Sequence, residues 1–134
     1  PLTLRFGVVE FDGRDEQTLA ESIELAHRFK AGGLDLLSVS VSFTTPDANI
    51  PWGPGFLGPY AERIRREVGI PVATAWGYGD PLLAEKALQD GQLDLALVGK
   101  AHLANPHWTY FAAQALKIDK PAWVLPAPYA HWLS

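Results

Sequence analysis

The segment "LALVGKAHLANPHW", residues 95–108, is the clearest indication of the fold class of this chain. It begins as an apolar strand, passes directly into Gly99-Lys100, and then reaches Asn105-Pro106. Asparagine is favoured as the N-cap of a helix and proline at its first position, so this pair predicts a helix with Asn105 as its N-cap. A strand followed by helices is typical of a βα unit in a parallel sheet.

Three similar βα units precede this segment, each with a short run of apolar and β-branched residues followed by apolar residues at helical spacing. The predicted strands cover residues 2–9, 34–43, 70–76 and 93–98. The predicted helices cover residues 15–31, 57–68, 81–89 and 106–116, and a short extra helix covers residues 101–103. Leu-Asp-Leu enters a strand at residues 34–36 and again at 93–95, which indicates that one structural unit repeats.

Parallel strands joined by helices leave two fold classes, a doubly wound sheet and a barrel. A doubly wound nucleotide-binding domain usually carries G-x-G-x-x-G after its first strand, whereas Gly77-Tyr78-Gly79 follows the third strand here. An eight-unit barrel takes about 250 residues, and its phosphate site commonly follows strands 7 and 8. We therefore predict an α/β fold in which residues 1–134 supply strands 5–8, the C-terminal half of a single (βα)₈ TIM-barrel domain. Gly99-Lys100 would then belong to a phosphate site.

Composition argues against several classes of protein. The 134 residues are 48% hydrophobic with a net charge of −4 and no basic run, so neither nucleic acid nor an anionic membrane surface is an expected partner. No apolar run reaches the roughly 20 residues that span a bilayer, so we expect a cytoplasmic protein. The chain has no cysteine, which excludes disulfides and thiolate chemistry within it. It also has no methionine, and we expect it to be part of a longer polypeptide.

Six stretches that together cover almost the whole chain carry a resemblance to a known family. They are "LRFGVVEFDGRDE", "FKAGGLDLLSVSVSF", "NIPWGPGFLGP", "AWGYGDP", "LVGKAHLANPHW" and "PAPYAHWL". These stretches resemble the C-terminal half of the Old Yellow Enzyme family of flavin-dependent ene-reductases, most closely its bacterial xenobiotic reductase A type. The resemblance implies a (βα)₈ barrel that holds FMN at its C-terminal mouth and is reduced by NADPH or NADH. It also implies hydride transfer to activated alkenes such as enones, quinones and related xenobiotics.

The resemblance assigns roles to individual residues of this chain. The implied FMN-binding residues are Arg5, Ala75, Trp76, Gly77, Gly99 and Lys100. Arg5 would lie beside the pyrimidine end of the flavin, where a fixed cation stabilises the anionic reduced ring. Trp76 would also form a wall of the substrate pocket. Trp132 would belong to a C-terminal tail that reaches the substrate pocket across a subunit interface, which implies a homo-oligomer.

Two departures from the family pattern bear on function. The family usually has arginine where this chain has Lys100, and an ammonium group binds phosphate as a point charge without the bidentate fork of a guanidinium. The family's proton donor and substrate-anchoring residues belong to the N-terminal half of the barrel, so no catalytic residue is assigned here. The expected partner is therefore that N-terminal half, in the same polypeptide or as a separate chain, or a second copy of this chain.

Other functions remain open at the level of the sequence. A half-barrel that self-associates and binds FMN or phosphate without reductase activity would have the same residues. A phosphate-binding isomerase or aldolase is less favoured, because no strand-end lysine or glutamate stands out as its base or nucleophile. A zinc site is not expected, since His102 and His107 are five residues apart and do not share a helix face. Arg5 paired with an acidic neighbour, or Lys100 as a solvated surface residue, would be structural roles without chemistry.

Overall fold

A computed structural model of the chain describes residues 1–46 and 48–133, and these form a four-stranded parallel sheet with helices. The strands are β1 (Thr3–Val9), β2 (Leu36–Val41), β3 (Val72–Thr74) and β4 (Leu95–Ala96). The helices are α1 (Asp15–Ala31), α2 (Gly58–Val68), α3 (Pro81–Gln89), α4 (Lys100–Ala104), α5 (Trp108–Ala115) and α6 (Ala127–Leu133). A 3₁₀ turn at Pro121–Val124 precedes α6. The predicted α/β class is confirmed.

The strands lie in the order β1-β2-β3-β4, and every neighbouring pair is parallel. Each connection places the next strand beside the previous one, without the reversal that creates the central crevice of a doubly wound sheet. Helices α1, α2 and α3 contribute to one hydrophobic core together with the strands. This order is compatible with four consecutive strands of a barrel, while the half-barrel itself stays a prediction.

The two faces of the sheet differ in chemistry because side chains alternate along each strand. One row across the sheet consists of Phe6, Val39, Thr74 and Ala96. The helices cover this face, and Phe6 packs edge-on against Phe29 of α1 with ring centroids 5.5 Å apart. The row on the opposite face consists of Arg5, Ser38, Ala73 and Leu95, and Arg5 and Leu95 at its two ends are exposed. The face away from the helices is therefore less apolar and partly open.

Local signals account for the helices that match their predicted bounds. The helix α3 starts at Pro81 because the Asp80 side chain accepts a hydrogen bond from the Leu82 N–H at 2.9 Å, and proline suits the first turn. The helix α2 ends where Gly69 adopts the left-handed conformation, at φ 67°, in which its N–H caps the last turn. Both signals are read from adjacent residues, and tertiary contacts did not override them.

The prediction for the last long helix was wrong at its start. The helix α5 begins at Trp108 with His107 as the N-cap, whereas Asn105 is the residue that ends α4. The Asn105 side chain accepts a hydrogen bond from the His107 N–H at 3.0 Å, which closes a turn instead of capping a helix. The short helix α4, predicted over residues 101–103, extends by one residue at each end and covers Lys100–Ala104, directly before this turn.

The strand β4 is shorter than the predicted 93–98, since only Leu95 and Ala96 pair with β3. β4 is an edge strand of the described sheet and has a ladder partner on one side only. Within the described part of the chain, no helix combines the length and apolar character that crossing a bilayer requires.

Candidate functional site

A cavity of about 450 Å³ lies beside the carboxyl-terminal ends of β3 and β4. Its lining consists of Arg5, residues 75–79 and residues 97–101. All six residues expected to bind FMN therefore lie around one space, although they come from three separate parts of the sequence. Loops at the carboxyl ends of parallel strands are the usual position of ligand sites in α/β folds.

Arg5 brings a positive charge to the cavity without an acidic partner. Its Nε and Nη2 donate hydrogen bonds to the Ser40 hydroxyl on β2, at 3.2 and 3.1 Å. Ser40 is buried, so it fixes the guanidinium without neutralising it. Among the described residues no carboxylate lies within ion-pair distance of Arg5, which argues against a purely structural salt bridge.

Lys100 brings a second positive charge, at the first position of α4. Its side chain also forms no ion pair with any carboxylate of residues 1–46 and 48–133. Gly99, just before it, has open space on its side-chain face, because a Cβ built there would meet no atom within 4 Å. The cavity lining contains no aspartate or glutamate, so it carries two positive charges on a protein of net charge −4.

The wall after β3 is held in an unusual backbone conformation. Trp76 and Gly77 both have left-handed φ values, 74° and 81°. A Cβ on Gly77 would lie 2.4 Å from the Cα of Pro54, so the close approach of these two loops requires glycine. The Trp76 carbonyl accepts a hydrogen bond from the Gly55 N–H at 3.0 Å, and this bond helps to hold the tryptophan in its strained conformation.

An aromatic cluster surrounds Trp76 and was not predicted from the sequence. The Trp52 ring lies 4.7 Å from the Trp76 ring, and the Phe56 ring lies 6.2 Å from it. Trp52 also stacks on Phe43, with centroids 6.2 Å apart. A signal was available in the sequence, because an aromatic residue stands two positions after the last residue of β1, β2 and β3 alike. These residues are Phe11, Phe43 and Trp76, and the structure gives each of them a positive φ.

Tyr78 separates the cavity from the loop before α2 and was also not predicted. It is 1% exposed, and its hydroxyl has no hydrogen-bond partner among the described residues. Side chains at Gly55 and Gly58 would begin 3.4 and 3.3 Å from this hydroxyl, so both glycines make room for the tyrosine. Burial raises the pKa of the Tyr78 hydroxyl. We therefore expect Tyr78 to stay neutral and to act through packing.

Trp132 is not brought to the cavity within this chain. It lies on α6 with 82% of its surface exposed, and it is absent from the cavity lining. Its expected role across a subunit interface stays a prediction. Among the described residues no cluster of three or more histidine, aspartate or glutamate side chains is arranged to bind a metal ion.

Comparison with known proteins connects this geometry to oxidoreductases. No family model matches the chain. It is 37% identical over 123 residues to a protein of Geobacillus thermodenitrificans named NADPH dehydrogenase. The aligned residues cover 90% of this chain and 36% of the relative. A Bacillus subtilis protein of the same name is 30% identical over 122 residues, which cover 91% of this chain and 36% of that relative. A Thermoanaerobacter brockii protein named NADH oxidase is 32% identical over 113 residues, which cover 81% of this chain and 17% of that relative. The chain thus spans about a third of the first relatives' length.

Proposed function

Because this chain is similar over about nine-tenths of its length to bacterial proteins named NADPH dehydrogenase, we propose that it is the FMN-binding half of an NAD(P)H-dependent ene-reductase of the Old Yellow Enzyme family. The complete enzyme would reduce activated C=C bonds in enones, quinones and related xenobiotics. The chain would supply strands 5–8 of a (βα)₈ barrel, and an N-terminal half would supply the rest.

The positive charge of the cavity is the observation that carries this proposal. Arg5 and Lys100 line one space with no acidic side chain in its lining, and neither is paired with a carboxylate of the described residues. Unpaired cations beside a cavity favour an anionic ligand. The adjacent Trp76 offers an aromatic surface to a flat ring. A phosphate joined to a planar heterocycle, as in FMN, fits this combination of charge and aromatic surface.

Different residues of the chain would bind different parts of FMN. When bound, FMN supplies hydride transfer between a nicotinamide and an activated alkene. Lys100 and the open backbone at Gly99 would hold the phosphate. Arg5, fixed by Ser40, would present a cation to the ring system, where it favours the negative charge of the reduced form. Trp76 would border the place where a substrate lies and exclude water from it.

A second candidate is a half-barrel that self-associates and binds FMN or phosphate without reductase activity. One observation favours it, namely that all six expected FMN-binding residues line a cavity formed within this chain alone. The two candidates differ in turnover and not in binding. Oxidation of NADPH in the presence of cyclohexenone would support the reductase, whereas flavin binding without turnover in the complete assembly would support the binding module.

Comparison of FMN with riboflavin tests the phosphate site directly, because the two ligands differ only in the phosphate. We expect the protein to bind FMN more tightly than riboflavin, and Lys100→Ala to weaken FMN binding about fivefold through loss of one partly exposed charge-assisted contact. Riboflavin affinity should not change. Quenching of flavin fluorescence during titration measures both constants.

Lys86→Ala is the matched control, since Lys86 lies on α3 outside the cavity and pairs with Asp90 at 2.7 Å. It should leave both affinities unchanged. Equal binding of FMN and riboflavin by the unmodified protein would contradict a phosphate site at this cavity.

A further inference from the structure

From outside the cavity, Trp108 contacts one of its walls directly and also contacts the helix α4, whose first residues form another wall. Its indole Nε1–H donates a hydrogen bond to the Gly79 carbonyl at 2.8 Å, across 29 positions of sequence. Its ring lies 5.3 Å from the ring of His102 on α4. Trp108 itself is absent from the cavity lining and faces the apolar groove between α3, β4 and α5. It therefore acts on the cavity only through the residues that it contacts.

The two walls that Trp108 joins approach each other closely. One wall is the loop of residues 77–79, and the other is the start of α4, residues 99–101. A Cβ built on Gly79 would lie 3.1 Å from the Cβ of Ala101, which is tighter than ordinary van der Waals contact. The spacing between the loop and α4 is thus fixed by direct packing on one side and by Trp108 on the other.

The hydrogen bond also orients the Gly79 peptide. Because the Gly79 oxygen accepts from a residue that lies outside the cavity, this carbonyl is directed toward α5. A carbonyl oxygen turned into the cavity would instead oppose a bound anion. Among the hydrogen bonds described for Gly79, the bond from the Trp108 indole is the one that its carbonyl accepts, and it favours this orientation of the peptide.

We propose that Trp108 is a positioning residue for phosphate recognition. It holds the 77–79 loop at a fixed distance from the helix that carries Lys100, and it keeps the Gly79 carbonyl away from the anion. This inference rests on the proposed FMN site, but it concerns the phosphate part of the ligand alone. If Trp108 has this role, replacing it should reduce the preference of the protein for FMN over riboflavin. A general structural role would instead weaken the binding of both ligands.

Trp108→Phe tests the proposal because it keeps an aromatic ring and removes the indole N–H. In the full protein, FMN affinity should fall about threefold to tenfold, the effect of losing one neutral hydrogen bond. Riboflavin affinity should stay within about twofold of the unmodified protein. Trp123→Phe is the matched control, since Trp123 is 69% exposed and lies outside the cavity lining. It should change neither affinity.

A second variant keeps the test decisive if Trp108→Phe does not fold. Gly79→Ala pushes the same loop away from Ala101, and it should also lower FMN affinity selectively. If FMN affinity is unchanged in the folded variants, or if the affinities for FMN and riboflavin fall equally, the role of Trp108 is overturned while the proposed function stands. If the unmodified protein binds neither ligand, the proposed function fails and this inference fails with it.

Discussion

Gly77 and Gly99 line the same cavity, yet they differ in how they tolerate a side chain. Gly77 has φ 81°, and a Cβ there would lie 2.4 Å from the Cα of Pro54. Gly99 has φ −105°, and a Cβ there would meet nothing within 4 Å. The first glycine is required by the backbone, and the second leaves space that a ligand can use.

This contrast gives a paired prediction. We expect Gly77→Ala to lower the free energy of unfolding by about 2 kcal/mol or more, through left-handed strain and overlap with Pro54. Gly99→Ala should leave the free energy of unfolding within about 0.5 kcal/mol. It should nevertheless weaken FMN binding, because a methyl group would occupy space beside the proposed phosphate site. Urea denaturation and FMN titration measure the two effects, and FMN binding by Gly99→Ala at the unmodified affinity would contradict the role given to Gly99.

The entrance to β4 shows how one side chain joins several elements. The Asp94 carboxylate accepts hydrogen bonds from the Val72 N–H of β3 at 2.9 Å and from Arg65 Nε of α2 at 3.0 Å. Burial raises the pKa of Asp94, but the hydrogen bonds from Arg65 and Val72 and the charge of Arg65 together bring it below its ordinary value of 3.8. This lowered pKa links the stability of the sheet edge to pH.

The sign of the linkage follows from the lowered pKa. The ionised carboxylate stabilises the folded state above pH 3.8, its ordinary value, and this stabilisation is lost as the pH falls through the lower folded pKa. We expect Asp94→Asn to reduce the free energy of unfolding by about 1 kcal/mol at pH 7, discounted because both partners are partly exposed. The difference should shrink toward zero in strong acid.

Denaturation curves at pH 7 and in strong acid would check this expectation. Asp90→Asn is a suitable control, since the Asp90 side chain forms an exposed i,i+4 pair with Lys86. A difference between Asp94→Asn and the unmodified protein that does not depend on pH would show that the charge of Asp94 is not the stabilising feature.

At the scale of the whole molecule, the described sheet has two free edges, β1 and β4. The face away from the helices is also partly open, with Leu95 52% exposed and Leu97 39% exposed. Unpaired strand edges beside exposed apolar side chains favour association with another chain.

We therefore expect the isolated 134-residue polypeptide to self-associate as its concentration rises, with a mass by light scattering above 14.6 kDa. Leu95→Lys should reduce this association, because it places a charge on the open face. Leu82→Lys makes the same change on α3, where the leucine is 60% exposed away from the sheet, and it should have less effect. A monomer of 14.6 kDa at every concentration would argue that the free edges do not need a partner.

Whether a prediction was correct depended on how far apart in the sequence the interacting residues lie. The bounds of α1 and α3 were predicted correctly, because caps, prolines and glycines act on adjacent residues. The predicted start of α5 was wrong, since the Asn105 side chain closes a turn with the His107 N–H after α4 and the helix begins only at Trp108. Tyr78, Trp52 and Trp108 were missed because their partners lie far away in sequence.

Residues that are neighbours in the sequence were enough to predict the α/β class and the order of the βα units. Periodicity, caps and glycines carry this information, since they depend on neighbouring positions. The hydrogen bond between Arg5 and Ser40, and the cavity that Arg5 shares with Lys100, are visible only in the folded chain. The same holds for the position of Trp108 behind the Gly79 peptide. These contacts could not be predicted because they arise from the parallel pairing of strands, which brings distant segments together at one end of the sheet.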